Sequence, residues 1–295
     1  MNVLKAPAPI RYVIVSPVRN EEKHLEATIQ SVARQTVRPQ RWVLVNDGST
    51  DLTARILEQA ASAHSWISTV CRPDRGYRAP GSGVIAAFYD GYERVQDTDW
   101  QFLVKLDGDL VLPDDYFERC LEEFRLDPNL GIGGGNIYHI ANGQEIVEAN
   151  PVFHVRGATK IYRRECWHAI EGLLQAPGWD TLDEAKAQMI GWNTRTFSVP
   201  RVLQLRPTGA ADGSWRDAVK NGRANYVSGY HPVFMLLKCV KRMFERPYGI
   251  VAIGQLYGFL TGYLKRVQQV NDPALIRYIR RQQIRRLMFV ESIWK

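Results

Sequence analysis

The stretch QFLVKLDGD (residues 101–109) decides how the chain is read. Its first six residues form a short, mostly apolar run, the pattern of a strand buried within a parallel sheet. The run closes on two carboxylates, Asp107 and Asp109, separated only by Gly108. Carboxylates one residue apart at the carboxyl end of a strand present the hard oxygens that Mg²⁺ or Mn²⁺ takes, with water and substrate phosphates completing the shell. Ligands of open α/β sheets also bind beyond the carboxyl ends of strands. The triplet points to an enzyme acting on a phosphorylated small molecule, although Asp-Gly-Asp is equally the sequence of a plain turn. Its neighbours have to decide.

Outward from the triplet, strand and helix patterns alternate. Residues 12–16, 42–46 and 66–71 are short β-branched or apolar runs that read as strands. Between them, residues 23–35 carry Leu25, Ile29 and Val32 at helical spacing, and Leu52, Ile56 and Leu57 mark a second helix that Thr50 or Asp51 can cap. A glycine-rich stretch, residues 75–83, leads into a third helix, and Pro113 opens a fourth that runs to about Leu126. Such alternation implies right-handed crossovers and a mostly parallel sheet covered by helices. Beyond Leu130 the pattern loosens. Residues 131–140 and 152–161 read as two further strands, and 164–170 and 181–190 as helices. The glycines from Gly131 to Gly135 are not followed by a strand-to-helix turn, so they read as a bend in a strand and not as a dinucleotide loop.

A chain of 295 residues can bury a large core, and 45% hydrophobic with 23% charged residues suits a globular protein. Cys71, Cys120, Cys166 and Cys239 are far apart and form no metal-binding pair, which argues against zinc and a disulfide framework and agrees with a reducing cytoplasm. The first residues do not read as a secretory signal. The six histidines show no metal-ligand spacing and read as structural, and neither a nucleophile elbow nor a phosphate-binding loop is present.

Four motifs in order resemble the family-2 glycosyltransferases: Val15-Ser-Pro-Val-Arg-Asn-Glu21, Val45-Asn-Asp-Gly-Ser-Thr-Asp51, Leu106-Asp-Gly-Asp109 and Gly178-Trp-Asp-Thr-Leu-Asp-Glu184. The last departs from the family's usual Glu-Asp pair, since Trp179 stands in the glutamate position. The resemblance covers residues 12–192. It implies an α/β, Rossmann-like GT-A fold with a mixed, mostly parallel sheet flanked by helices. It also implies sugar transfer, with inversion, from a nucleotide-diphosphate donor in polysaccharide or glycolipid synthesis.

By the same resemblance, Asp47 would accept a hydrogen bond from the imide N–H of a uracil or thymine base, favouring a UDP or dTDP donor; a turn or helix-capping role is its alternative. Pro17, Arg19 and Glu21 would line the donor on the neighbouring strand end, with Glu21 on a ribose hydroxyl or holding the loop. Arg75 and Arg78 would approach the diphosphate at a helix start. Asp109 would ligate a divalent cation, with Asp107 on the ribose or the metal, and Lys105 lies close by in sequence. Asp180 aligns with the family's catalytic base, which removes the proton of the attacking hydroxyl; Asp183, one helical turn on, is the runner-up, and Glu184 stands beside it. A catalytically silent nucleotide-sugar-binding or scaffold protein of the same fold is the alternative. A sugar nucleotidyltransferase would need a glycine-rich loop after the first strand, where this chain has Pro17-Val-Arg-Asn-Glu21.

Residues 1–225 are expected to form the catalytic domain and 226–295 a basic, helical extension. Residues 248–264 carry no charge, and 17 residues fall short of the about 20 that span a bilayer. Gly254, Gly258 and Gly262 recur every four residues, a pattern that permits close helix packing in or near a membrane. Five arginines and no acid occupy residues 273–290. With the formal net charge of +7, this suggests an interfacial helix on an anionic inner leaflet. A helix buried against the catalytic domain is the competing expectation. Peripheral membrane contact at the cytoplasmic face, a glycan or lipid-linked acceptor and no nucleic-acid partner complete the expectations.

Overall fold

The computed structural model describes residues 10–76, 81–148, 150–206, 213–244 and 248–294. Strands β1 (Tyr12–Val18), β2 (Arg41–Asp47), β3 (Ile67–Arg72) and β4 (Phe102–Leu106) alternate with helices α1 (Leu25–Ala33), α2 (Thr53–Ala63) and α3 (Ser82–Tyr92). β1 pairs in parallel with both β2 and β4, and β2 with β3, so these four strands end on the same edge. Successive side chains of β1 face opposite layers. Tyr12 and Ile14 pack with Leu25, Ile29 and Leu57, whereas Val13 and Val15 pack with Ile85 and Phe88. Burial on both faces is why β1, β2 and β4 read as mostly apolar runs, whereas β3 at the sheet edge is only partly buried. Pro17 is tolerated in a central strand because the pairing with β4 stops at Val15, and no ladder bond is missing there.

The second half of the sheet is mixed. After β5 (Leu110–Val111) and α4 (Tyr116–Leu126) come β6 (Leu130–Ala141), β7 (Gln144–Val147), β8 (Thr159–Arg163), α5 (Arg164–Ala169), α6 (Trp179–Met189) and β9 (Asn193–Gln204). The sheet order is β3-β2-β1-β4-β8-β6-β9-β5, with β7 at the side of β6. β8 runs antiparallel to β4 and β6, whereas β9 runs parallel to β6. The glycines of β6 are sites of close approach. A Cβ on Gly133 would come within 2.6 Å of the Phe197 ring, and one on Gly134 would strike the Thr159 carbonyl.

Three expectations need correction. Residues 152–158 are irregular, and the strand expected there is only β8. β9 was not foreseen, because Pro200 interrupts its pattern; the proline sits at a register shift between β6 and β9, where its missing N–H costs no ladder bond. The division expected at residues 225 and 226 cuts through α7 (Ser214–Val227).

α7 belongs to a helical layer with α8 (Pro232–Arg242), α9 (Ile250–Leu264) and α10 (Pro273–Leu287). The glycine stripe of α9 is occupied within the chain. A Cβ on Gly254 would fall 2.8 Å from the Ala218 Cβ, and one on Gly258 would strike the Val219 carbonyl, so α9 lies directly on α7. This layer shares a core with α6, whose Leu182 and Ala185 pack among Tyr226, Met235, Phe259 and Leu275. No helix among the described residues is long and apolar enough to cross a membrane.

Candidate active site

The parallel strands deliver the motif residues to one edge. Asp47 is the last residue of β2, and Asp107 follows β4 directly. Gly108 has no room for a side chain, since a Cβ would lie 2.7 Å from Val18 Cγ1. That contact seats the turn against β1 and separates the two carboxylates. Asp109 is 4% exposed. Its Oδ2 receives Gln204 Nε2 at 3.4 Å and faces Arg206 Nε at 3.7 Å, and its carbonyl accepts from the Leu205 N–H at 2.8 Å. Burial, and then the charge of Asp107, push the Asp109 carboxyl up to about 6, with Arg206 opposing. Glu21 lies in the same pocket of charge: its Oε1 pairs with Arg206, and its Oε2 is buried without a partner. Burial pushes Glu21 up to about 7, against Arg206 and reinforced by Asp109 and Asp107.

This crowding of carboxylates fits a divalent cation. Among the described residues no three His, Cys, Asp or Glu converge as a ready-made cage. Asp107 and Asp109 would therefore share an ion with water and substrate oxygens, the usual manner of Mg²⁺.

Asp47 meets cations of the protein itself. Its Oδ1 accepts from Arg72 at 2.7 Å and Arg75 at 3.0 Å, and its Oδ2 accepts from Arg75 at 2.6 Å. A carboxylate oxygen has about two lone pairs, so Oδ2 keeps one acceptor position. Arg19 braces the same loops, donating to the Asp47 carbonyl at 2.6 Å and to Asp74 at 2.7 Å. Arg78 lies outside the described residues. The N-cap of α2 is Leu52 and not Thr50 or Asp51, although Asp51, one residue earlier, accepts from the Thr53 N–H at 3.0 Å.

Asp180 sits in the first turn of α6. Burial would raise its carboxyl, but the charges of His154, Lys160, Arg156 and Lys105 outweigh this and hold it below the usual carboxylate range. Lys105 connects the two halves of the site: its buried ammonium donates to Asp107 and, at 2.6 Å, to the carbonyl of Gly157. Gly157 lies against α6, where a Cβ would stand 3.3 Å from the Asp180 Cβ. The Trp179 ring is flanked by Lys105 Nζ and Lys160 Nζ, 5.4 and 5.5 Å from its centroid.

Asp183 is placed elsewhere. It is buried, accepting from Lys160 Nζ at 2.8 and 2.9 Å and from the Tyr162 hydroxyl at 2.6 Å. Burial, with Lys160 opposing and Glu184 adding, pushes it up to about 7. With no exposed side-chain surface, Asp183 joins α6 to β8 through Lys160. Glu184 accepts from the Val155 N–H at 2.6 Å and pairs with His154 at 2.9 Å and Lys160 at 2.9 Å. Neither Arg206 nor the Lys160 network was visible in the sequence. Arg206 has no local motif, and a lysine inside a strand reads as a surface position.

A mixed, mostly parallel sheet flanked by helices, with carboxylates at the ends of its parallel strands, is the GT-A architecture. The family model "Glycosyl transferase family 2" matches residues 13–174, more than half of the chain, and the chain belongs to that family. Chondroitin synthase of Escherichia coli is 24% identical over 177 residues, covering 54% of this chain and 23% of that protein. Poly-β-1,6-N-acetyl-D-glucosamine synthase of Staphylococcus aureus (strain COL) is 27% identical over 118 residues, covering 40% and 26%. Each match spans about a quarter of the relative's own length. Among solved structures, the mannosyltransferase PcManGT from Pyrobaculum calidifontis, in complex with GDP-Man and Mn²⁺, superposes with a TM-score of 0.55 at 14% identity, covering 98% of this chain and 80% of that one. Residues 1–349 of S. aureus TarS, in complex with UDP-GlcNAc, give 0.53 at 17% identity, covering 89% and 74%. At these identities the likeness establishes the fold.

Proposed function

We propose that the chain is an inverting glycosyltransferase that moves a sugar from a nucleotide-diphosphate donor, of UDP or dTDP type, to a glycan or lipid-linked acceptor. The observation that carries this is Lys105, whose ammonium joins Asp107 at the donor edge to Gly157, the residue lying against Asp180. This chain of contacts links the strand-end carboxylate to the helix-start carboxylate and supports their acting on one bound donor.

Asp47, steadied by Arg72 and Arg75, offers its remaining acceptor position to the base's imide N–H. Asp107 and Asp109 would hold the divalent cation, Mg²⁺ or Mn²⁺, which when bound supplies positive charge at the donor's diphosphate. Asp180, ionised at neutral pH, takes the proton of the acceptor hydroxyl as its oxygen bonds to the anomeric carbon. The bond from that carbon to the diphosphate breaks, and its electron pair leaves with the nucleoside diphosphate. Attack and departure on opposite faces invert the anomeric centre. PcManGT and TarS bind GDP-Man and UDP-GlcNAc respectively, which supports a nucleotide-sugar donor here. Incubation with a panel of nucleotide sugars and Mn²⁺ or Mg²⁺, followed by product analysis, tests this reading. A transferred or hydrolysed sugar supports it, and donor binding without any turnover favours the catalytically silent alternative.

The acceptor side bears on location. α8 exposes Leu236, Leu237 and Val240 along one stripe, and α9 exposes Ile253, Leu260 and Leu264, the last 82% open to solvent. Exposed Lys241, Lys265 and Arg266 adjoin these stripes. Apolar side chains beside basic ones suit an anionic bilayer surface, whereas a second copy of this cationic chain would bring like charges together. The extension is proposed to rest on the cytoplasmic leaflet, where a lipid-linked acceptor would be presented.

A further inference from the structure

Asp180 and Glu184 are four residues apart on α6 and so share one helix face. The loop from Phe153 to Gly157 lies along that face at both ends. Glu184 binds the Val155 N–H at 2.6 Å and the His154 Nδ1 at 2.9 Å, and the Gly157 Cβ position stands 3.3 Å from the Asp180 Cβ. His154 is therefore clamped against α6 at Glu184, one helical turn after Asp180, its ring fixed by a carboxylate that is itself wholly buried. The loop is anchored from the opposite side as well, since the Thr194 hydroxyl donates to the Phe153 carbonyl at 2.7 Å.

We propose that His154, oriented by Glu184, is a positioning residue for the reaction, its imidazolium being the cation that keeps Asp180 charged and ready to accept the hydroxyl proton. The proposal rests on Asp180 as the base. Burial works against a proton on His154, but the charge and hydrogen bond of Glu184, and then the charge of Asp180, raise its affinity for the proton, with Lys160 opposing. His154 is in turn the foremost of the cations that lower Asp180, ahead of Lys160, Arg156 and Lys105. Lys160 is already shared between Asp183, Glu184 and the Asp180 carbonyl, and Lys105 between Asp107 and Gly157, whereas among the described residues the His154 ring has Glu184 as its one side-chain hydrogen-bond partner. A fixed ring is also better suited than a long side chain to impose one geometry, because little rotamer freedom is left to lose.

The consequence is a pH signature. Without the imidazolium, Asp180 loses the foremost of the cations that lower it, its pKa rises, and the base is protonated further up the acid range. The acid limb of kcat/KM against pH should move upward in His154→Gln by about one unit, so that activity falls about tenfold on the acid side and little on the alkaline side. His154→Lys, which keeps a cation, should restore the wild-type limb. A loss of equal size at every pH, or no change, overturns the proposal, because a purely structural histidine would not move the limb. Histidine NMR titration of the folded wild type gives a second readout, independent of turnover and of whether the variant folds. The His154 ring should titrate above about 6.5 and fall in Asp180→Asn. A ring that titrates at or below that value, or that ignores Asp180→Asn, likewise overturns the proposal. Asp180→Asn also separates the two readings: turnover persisting in it defeats the base assignment, whereas the NMR coupling tests the His154–Asp180 pair on its own.

Discussion

Gly157 and Asp180 stand so close that a Cβ on the glycine would lie 3.3 Å from the Cβ of the aspartate. Through its carbonyl the same glycine holds Lys105, and through Lys105 it is tied to Asp107. The donor edge of the sheet and the start of α6 are thus fixed to one another by a single residue.

Gly157→Ala follows from this contact. The added methyl would come within 2.7 Å of the Trp179 ring, so α6 or the loop must give way. Displacement of a catalytic group by about 1 Å costs on the order of 10²-fold in rate. Steady-state kinetics should show kcat reduced by that order while calorimetry shows nearly unchanged donor affinity.

Lys160→Met tests the buried network. Removal of the lysine leaves Asp183 and Glu184 without their shared cation in a fully buried site. Breaking such a pair costs about 3–5 kcal/mol, measurable as a lowered denaturation midpoint. A near-native midpoint would show that Asp183 simply carries a proton and does not depend on Lys160.

Asp109→Ala addresses the cation. Its carboxyl is raised to about 6 by burial and by Asp107, with Arg206 opposing. The variant should bind a nucleoside diphosphate weakly and without response to Mn²⁺, whereas the wild type should tighten as Mn²⁺ is added. An equal response of both proteins would remove Asp109 from the cation site.

Leu236→Glu combined with Leu260→Glu probes the exposed stripes of α8 and α9. Sedimentation with vesicles containing anionic phospholipid should fall at least about tenfold, since two leucine side chains lose their apolar burial. Turnover of a water-soluble acceptor should be preserved. Concentration-dependent dimerisation of the wild type, abolished by the same changes, would instead assign the face to a second copy.

Much of the first half was legible in the sequence because β1, β2 and β4 are buried on both faces and read as mostly apolar runs, with Asp47 ending β2 and Asp107 following β4. The later half was not. Pro200 masks β9, and Arg206, which closes over Glu21 and Asp109, follows that strand with no motif of its own. Asp180 and Asp183 could not be told apart by spacing, since what separates them is Lys160, a buried lysine on β8 that pattern alone places at the surface. The glycine repeat of α9 was correctly read as a site of close packing, but its partner is α7 of the same chain.

The most direct test of convergence around one donor is single-turnover sugar transfer by Asp180→Asn, paired with donor affinity in the presence of Mn²⁺. Donor binding should match the wild type while the transfer step slows by about 10²–10⁴-fold. Transfer at the wild-type rate would contradict the account.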